Sequence, residues 1–143
     1  MEEFMMKRTM AIVFGLTLLN AFSQAQIKWE RDLEAAMKKA KANKTLIFVD
    51  FYADWCGPCK ALDKTTFQDK SAIKSLGSFV TLKQNIDKEG KKAAMKYKVE
   101  LLPTLMVLDA NGKVVLMTEG GIDPTDLAAF LKEAKKKASR VKK

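Results

Sequence analysis

The sequence has no histidine and only two cysteines among its 143 residues. A closed structural zinc site takes four ligands, usually Cys or His, so here it would need carboxylates or a second chain. A disulfide framework needs several cysteine pairs, and this chain can form only one. Both cysteines lie in a single segment, Cys56-Gly57-Pro58-Cys59. The two thiols therefore predict a dithiol that opens and closes, which is a redox centre.

Long hydrophobic runs are also scarce. The apolar stretch from Met10 to Phe22 is too short to cross a bilayer core of ~30 Å as a helix. Lys7 and Arg8 precede it, and Ser23-Gln24-Ala25 follows with small residues at the positions that signal peptidase requires. We predict a signal peptide over residues 1–25, cleaved after Ala25, and export to a bacterial periplasm. An uncleaved membrane anchor is the alternative.

Acidic residues are the minority, since the net charge is +9. The simpler interpretation of the C-terminal cations is a solvated helix end in which they complement the helix dipole. The alternative is attraction to anionic lipid head groups or to an acidic partner. We expect no nucleic-acid partner, because aromatic residues are not interleaved with the basic ones. The cations concerned are Lys132, Lys135, Lys136, Lys137, Arg140, Lys142 and Lys143.

The mature chain is predicted to be one α/β domain over residues 26–137, followed by a basic tail over 138–143. Apolar spacing predicts an amphipathic helix that includes Trp29 and ends near Asn43. Asp123 is expected to cap a last helix that has Pro124 at its first position. The element order is α-β-α-β-α-β-β-α. Strands are predicted over 45–52, 79–86, 105–108 and 114–117, and further helices over 56–66, 69–76 and 89–98.

The last two strands should form a hairpin. Asn111-Gly112 lies between them and is expected to supply the positive φ angles of the turn.

The position of the cysteines predicts their chemistry. Cys56 follows a predicted central strand and begins a helix, whose free N–H groups and positive dipole end should lower the pKa of its thiol. Cys56 is therefore the expected nucleophile on a partner disulfide, and Cys59 the thiol that resolves the mixed disulfide. Gly57 allows close backbone approach, and the fixed φ of Pro58 suits a first helical turn.

Four further residues complete the site predicted from spacing. Asp50 is expected to be a buried carboxyl with a raised pKa that takes the proton of Cys59, which should be the more buried thiol. An ordinary aspartate at the strand edge is the alternative. Trp55 is expected beside the nucleophile as an exposed contact surface, or else in the core. Leu102 precedes Pro103, and a cis bond there would leave the Leu102 backbone free to pair with an extended substrate.

Four motifs in order resemble the thioredoxin-fold oxidoreductases over about residues 27–134. They are the segments 50–60, 83–87, 102–104 and 120–121. The resemblance implies a thioredoxin fold, a central mixed β-sheet flanked by helices with an N-terminal helical extension. It also implies that Lys83 is the charge partner of Asp50, that Pro103 is the cis-proline facing the dithiol, and that Gly120 lies near bound substrate.

Within that family, one subgroup is more similar, the C-terminal domain of the transmembrane thiol:disulfide interchange protein. The resemblance is carried by Trp29 with its leading helix, by Cys59-Lys60 followed by the segment 66–69, and by the segment 80–82. This similarity implies a free-standing exported reductase that acts on disulfide-bearing exported proteins. Its electrons would come from a membrane-bound or thioredoxin-like donor, and we expect a monomer with no cofactor and no metal. One departure is Leu101, which stands where relatives often have glycine in the partner-docking groove.

Two other functions remain open at this point. An oxidase or isomerase of exported proteins would use the same residues at a different redox potential. A binding module or holdase would capture unfolded chains and use the dithiol as a sensor.

Overall fold

A five-stranded mixed sheet forms the centre of the fold in the computed structural model, which describes residues 25–141. The predicted signal peptide therefore lies outside the described residues, apart from Ala25. The strands are β1 (Trp29–Glu30), β2 (Ile47–Tyr52), β3 (Val80–Asn85), β4 (Thr104–Leu108) and β5 (Val114–Glu119). The helices are α1 (Leu33–Asn43), α2 (Gly57–Lys64), α3 (Lys70–Leu76), α4 (Lys91–Lys96) and α5 (Pro124–Val141), with a 3-10 turn at Thr66–Gln68.

Strand β2 lies in the middle of the sheet, whose spatial order is β1-β3-β2-β4-β5. It pairs in parallel with β3 and antiparallel with β4, so both of its edges are covered. Its residues alternate between two cores, because successive side chains of a strand point to opposite faces. Val49 and Phe51 pack with α1 and α4 on one face, and Phe48 packs with α3 and α5 on the other. The rigid end of β2 leads directly to the cysteines.

The predicted start of the first helix was wrong. Helix α1 begins at Leu33, because the Asp32 carboxylate accepts a hydrogen bond of 2.6 Å from the Ala35 N–H and caps the helix there. Trp29 instead lies in β1, opposite Thr81 of β3. Its ring packs edge-on against Phe67 at 5.1 Å between centroids. Trp29 packs against the core on the α3 and α5 face of the sheet, whereas Leu33 packs against the core on the α1 and α4 face. Their helical spacing therefore joined two elements that do not share a helix face.

The predicted hairpin joins β4 and β5, but its turn differs from the expectation. Only Gly112 has a positive φ, at 80°, and Asn111 does not share it. The Asp109 carboxylate accepts hydrogen bonds from the N–H groups of Asn111 and Lys113, at 2.8 and 2.9 Å. This aspartate turn holds the loop, so a single left-handed residue suffices.

Helix α5 continues through residues 138–141, part of the segment predicted as a basic tail. Its lysines are exposed, whereas Leu127, Leu131 and Ala134 are buried against the sheet. Between residues 25 and 141, no helix combines the length and the apolar character needed to cross a membrane.

Candidate active site

Cys56 and Cys59 lie where β2 gives way to α2, and they form a disulfide with 5.3 Å between their Cα atoms. Cys56 is the N-cap of α2, and Pro58 occupies the first turn, where its missing N–H leaves no bond unmade. The Cys59 N–H donates to Cys56 Sγ at 3.2 Å. A backbone donor and the positive helix end thus both point at this sulfur, and they would stabilise a thiolate there once the disulfide opens.

The two cysteines differ in access rather than in fractional burial. Their exposed fractions are 4% and 3%, so exposure alone does not single out Cys59 as the more buried thiol. Cys56, however, lines a surface groove of about 320 Å³, whereas Cys59 does not. A partner disulfide seated in this groove would therefore meet Cys56. The groove is lined by Trp55, Cys56, Gly57, Pro58, Ile86, Val99, Glu100, Leu101 and Leu102.

Trp55 forms an exposed wall of the groove, and the alternative that it packs in the core was wrong. Its side chain is 69% exposed, and its Nε1–H donates to the Asp87 carboxylate at 2.8 Å. Leu101, also exposed at 58%, is a second large apolar residue of the groove. Exposed apolar side chains around a reactive sulfur are suited to contact a partner polypeptide.

The Leu102–Pro103 peptide bond is cis. Leu102 lines the groove, whereas Pro103 is buried and is not among the lining residues. The Pro103 carbonyl accepts a hydrogen bond of 2.8 Å from the Gly120 N–H, and Gly120 has a φ of 88° that favours glycine. Gly120 therefore contacts Pro103 and does not line the groove itself.

Asp50 is buried in the middle of β2, with only 1% of its surface exposed. Burial raises the pKa of this carboxyl from 3.8 to about 7, although the Lys83 ammonium opposes the shift. Lys83 Nζ lies 3.4 Å from Asp50 Oδ2, and Asp50 Oδ1 has no hydrogen-bond partner among the described residues. A carboxyl with this pKa can exchange a proton near neutral pH.

Asp63 is a charged neighbour that the sequence analysis missed. It forms an ion pair with Lys83, whose ammonium thus lies between two carboxylates. Cys59 and Asp63 are four residues apart on α2 and therefore share one face of that helix. Since Asp63 reaches Lys83, which touches Asp50, this is the face that covers Asp50. That spacing was visible in the sequence, but the pairing with Lys83 was not.

No group of three or more potential metal ligands occurs between residues 25 and 141. The groups of the site that can take part in chemistry are two thiols and a buried carboxyl, which lie beside an apolar groove.

Comparison with known proteins agrees with this geometry. Residues 33–135 match the thioredoxin-like domain family. The chain belongs to this family. The predicted thioredoxin fold is thereby confirmed, and with its closed Cys56–Cys59 pair the protein is a thioredoxin-like disulfide oxidoreductase.

The relatives that the chain matches include a thiol:disulfide interchange protein and a thioredoxin. The thiol:disulfide interchange protein DsbD of Salmonella choleraesuis is 38% identical over 85 residues, which are 57% of this chain and 15% of that protein. Mouse mitochondrial thioredoxin is 38% identical over 91 residues, 64% of this chain and 52% of its own length. This chain thus spans only about a seventh of the DsbD protein that it matches.

Among solved structures, the chain is similar to a "putative disulphide-isomerase" from Bacteroides thetaiotaomicron. The TM-score is 0.66 at 34% identity, and the match covers 78% of this chain and 94% of that one.

Proposed function

We propose that this protein is an exported disulfide reductase, in which the Cys56–Cys59 dithiol passes two electrons to disulfides of periplasmic partner proteins. The observation that carries the proposal is the position of Cys56. Its sulfur lies at the N-terminus of α2 and accepts a hydrogen bond from the Cys59 N–H. Cys56 also lines the largely apolar groove in which a partner segment would bind.

The first step is nucleophilic attack by the Cys56 thiolate on one sulfur of the partner disulfide. A bond forms between the two sulfurs, the partner's own S–S bond breaks, and one partner thiolate leaves and takes up a proton. Trp55 and Leu101 line the groove with the attacking Cys56 and offer apolar contacts to the partner. The stabilised thiolate supplies the nucleophile, since the thiolate and not the thiol reacts.

The second step is resolution by Cys59. Its thiol gives a proton to the Asp50 carboxylate, and the resulting thiolate attacks Cys56 Sγ. The Cys56–Cys59 bond forms, the mixed disulfide breaks, and the second partner thiolate leaves and takes up a proton from solvent, while Asp50 later returns its proton to solvent. Asp50 is suited to this exchange because its pKa of about 7 lies between those of an exposed carboxylate and a free thiol. Lys83 holds the Asp50 side chain in place.

The direction of electron flow is inferred from the residues between the cysteines. Gly57-Pro58 matches thioredoxin, whose potential of about −270 mV is well below that of the isomerases and strong oxidants. In an oxidising compartment such a dithiol stays reduced only if a donor supplies electrons. The partial similarity to DsbD supports a membrane-bound donor, and a thioredoxin-like donor is the other candidate. The predicted signal peptide supports the periplasm, and we propose that the protein acts as a monomer.

Insulin reduction tests the function. With dithiothreitol as the electron source, the wild-type protein should accelerate precipitation of the insulin B chain, and Cys56→Ser should not. Equal activity of the two proteins would contradict the proposal.

The name of the Bacteroides neighbour favours one second candidate, a disulfide isomerase. An isomerase would reactivate scrambled ribonuclease faster than it reduces insulin. A holdase is distinguished by the same variant, because Cys56→Ser would then keep its ability to suppress aggregation of unfolded protein.

A further inference from the structure

Lys83 is shared between two carboxylates that lie on different elements. The lysine lies on β3 with only 6% of its surface exposed. Its ammonium lies 3.4 Å from Asp50 Oδ2 on β2 and is ion-paired with Asp63 on α2. It also lies 4.9 Å from the Tyr52 ring centroid and about as close to the rings of Trp29 and Phe67. Aromatic faces stabilise a cation in this geometry, so the rings favour a charged Lys83 beside the two carboxylates.

The two carboxylates are not equivalent. Only 2% of the Asp50 side chain is exposed, compared with 41% for Asp63. Lys83 Nζ hydrogen-bonds to the Asp63 carboxylate and is ion-paired with Asp50 Oδ2 at 3.4 Å. Asp50 Oδ1 is left without a hydrogen-bond partner among the residues described. The outer carboxylate therefore shares the lysine with the inner one, although the buried inner carboxylate has greater need of a counter-charge.

A surface cavity of about 290 Å³ opens onto this pair. Asp63 and Lys83 line it together with Trp29, Phe67 and residues near the start of β1. It is separate from the groove at Cys56, because the two cavities share no lining residue. The Asp63 end of the network therefore meets solvent at a place apart from the groove.

We propose that Asp63 is a positioning residue that draws the Lys83 ammonium away from Asp50 and so keeps Asp50 able to take up a proton near neutral pH. The inference rests on the proposed role of Asp50 as the base for Cys59. Without Asp63, Lys83 would pair fully with Asp50 and hold it as a carboxylate, a weaker proton acceptor.

The other charges around Asp50 do not account for this effect. Lys83 on β3 and Arg31, which follows β1, both lower the pKa of Asp50, whereas Asp63 raises it after the larger contribution of burial. The facing residue on β4 is Leu105, which carries no charge. On α2, Cys59 shares a face with Asp63 and is itself the proton donor in the proposed step. Among these charged side chains, Asp63 is the one that favours the protonated form of Asp50, and a substitution can remove its charge.

The test is an NMR titration of the Asp50 carboxyl in the oxidised protein. Asp63→Asn should lower the pKa of Asp50 by roughly half to one pH unit, a range that allows for the solvent exposure of Asp63. Asp63→Glu should restore the wild-type value, and Glu133→Gln on the exposed face of α5 is the matched charge-removal control. In a Lys83→Met background, Asp63→Asn should shift the pKa less. No fall in the pKa, or an equal fall with and without Lys83, would overturn the inference.

A kinetic readout separates this inference from the proposed function. The reduced protein reacts with a nitrobenzoate disulfide, and the second nitrobenzoate thiolate is released only in the resolving step. When that rate is plotted against pH, Asp63→Asn should move the acidic limb of the profile toward lower pH by the shift in pKa that NMR measures. If the NMR shift occurs and the limb does not move, Asp63 acts on Asp50 as inferred, but Asp50 is not the base.

Discussion

Asp50→Asn should stabilise the oxidised protein above neutral pH, even though it removes a buried ion pair. Burial raises the pKa of Asp50 from 3.8 to about 7, a difference of about 3 pH units. At about 1.4 kcal/mol per unit, ionising this carboxyl in the folded protein costs about 4 kcal/mol. Asparagine has nearly the same shape and carries no charge to desolvate, and Lys83 keeps Asp63 as a partner.

The sign of the pH dependence follows from the same shift. Between pH 3.8 and about 7 the unfolded chain has lost the Asp50 proton, whereas the folded protein still binds it. The unfolded state then binds fewer protons, so stability falls as the pH rises through this window. Asp50→Asn has no carboxyl to ionise at this position, so it does not lose this stability as the pH rises. We therefore expect it to be more stable than wild type by about 2 to 4 kcal/mol at about pH 8, and by almost nothing at about pH 4.

Urea unfolding of both oxidised proteins across this pH range measures the difference. Glu133→Gln, which removes an exposed carboxylate on α5, is the control and should show no comparable gain. The reasoning about burial is refuted if Asp50→Asn is no more stable than wild type at the alkaline end of the range. It is also refuted if the gain in stability is the same at every pH.

Three further outcomes are expected at the groove. Cys59→Ser should accumulate a mixed disulfide through Cys56, visible by mass spectrometry, because the resolving thiol is missing. Trp55→Ala should lower kcat/KM for protein disulfides about tenfold, equal to about 1.4 kcal/mol of lost contact, and leave the redox potential unchanged. Leu101→Gly should reduce the preference for peptides with an apolar residue beside the cysteine by roughly tenfold, measured as a ratio of kcat/KM values.

Each of these outcomes has a result that contradicts it. Release of free partner by Cys59→Ser would show that another group resolves the mixed disulfide. A changed potential in Trp55→Ala would mean that the ring acts on the sulfurs and not on docking. An unchanged peptide preference in Leu101→Gly would remove Leu101 from partner recognition.

Much of the fold could be predicted from the sequence because its signals are local. The Asp69 cap, the apolar strands and the Asp123-Pro124 helix start each depend on a few adjacent residues. The predicted start of α1 was wrong because Trp29 and Leu33 lie in two elements that face opposite cores. A spacing pattern does not show that the chain changes direction between them. The capping aspartate at residue 32 was the signal that could have corrected it.

The site was predicted less completely, because its charges meet across the fold. Asp50 could be suspected from its apolar neighbours in a strand that leads to Cys56. Lys83 came only from the family resemblance, since nothing local links it to a carboxyl 33 residues earlier. Asp63 was missed because an acidic residue on a helix normally indicates a solvated face. Only the register of β2 against β3 and the covering helix bring these three charges together.

The redox potential of the Cys56–Cys59 pair tests the central claim most directly. The purified protein is equilibrated in graded glutathione or dithiothreitol buffers, and the oxidised fraction is measured after thiol alkylation. A potential near the value of about −270 mV typical of thioredoxin is expected for a reductase. A potential above about −180 mV, in the range of isomerases and strong oxidants, would contradict the claim that electrons flow from this protein to its partners.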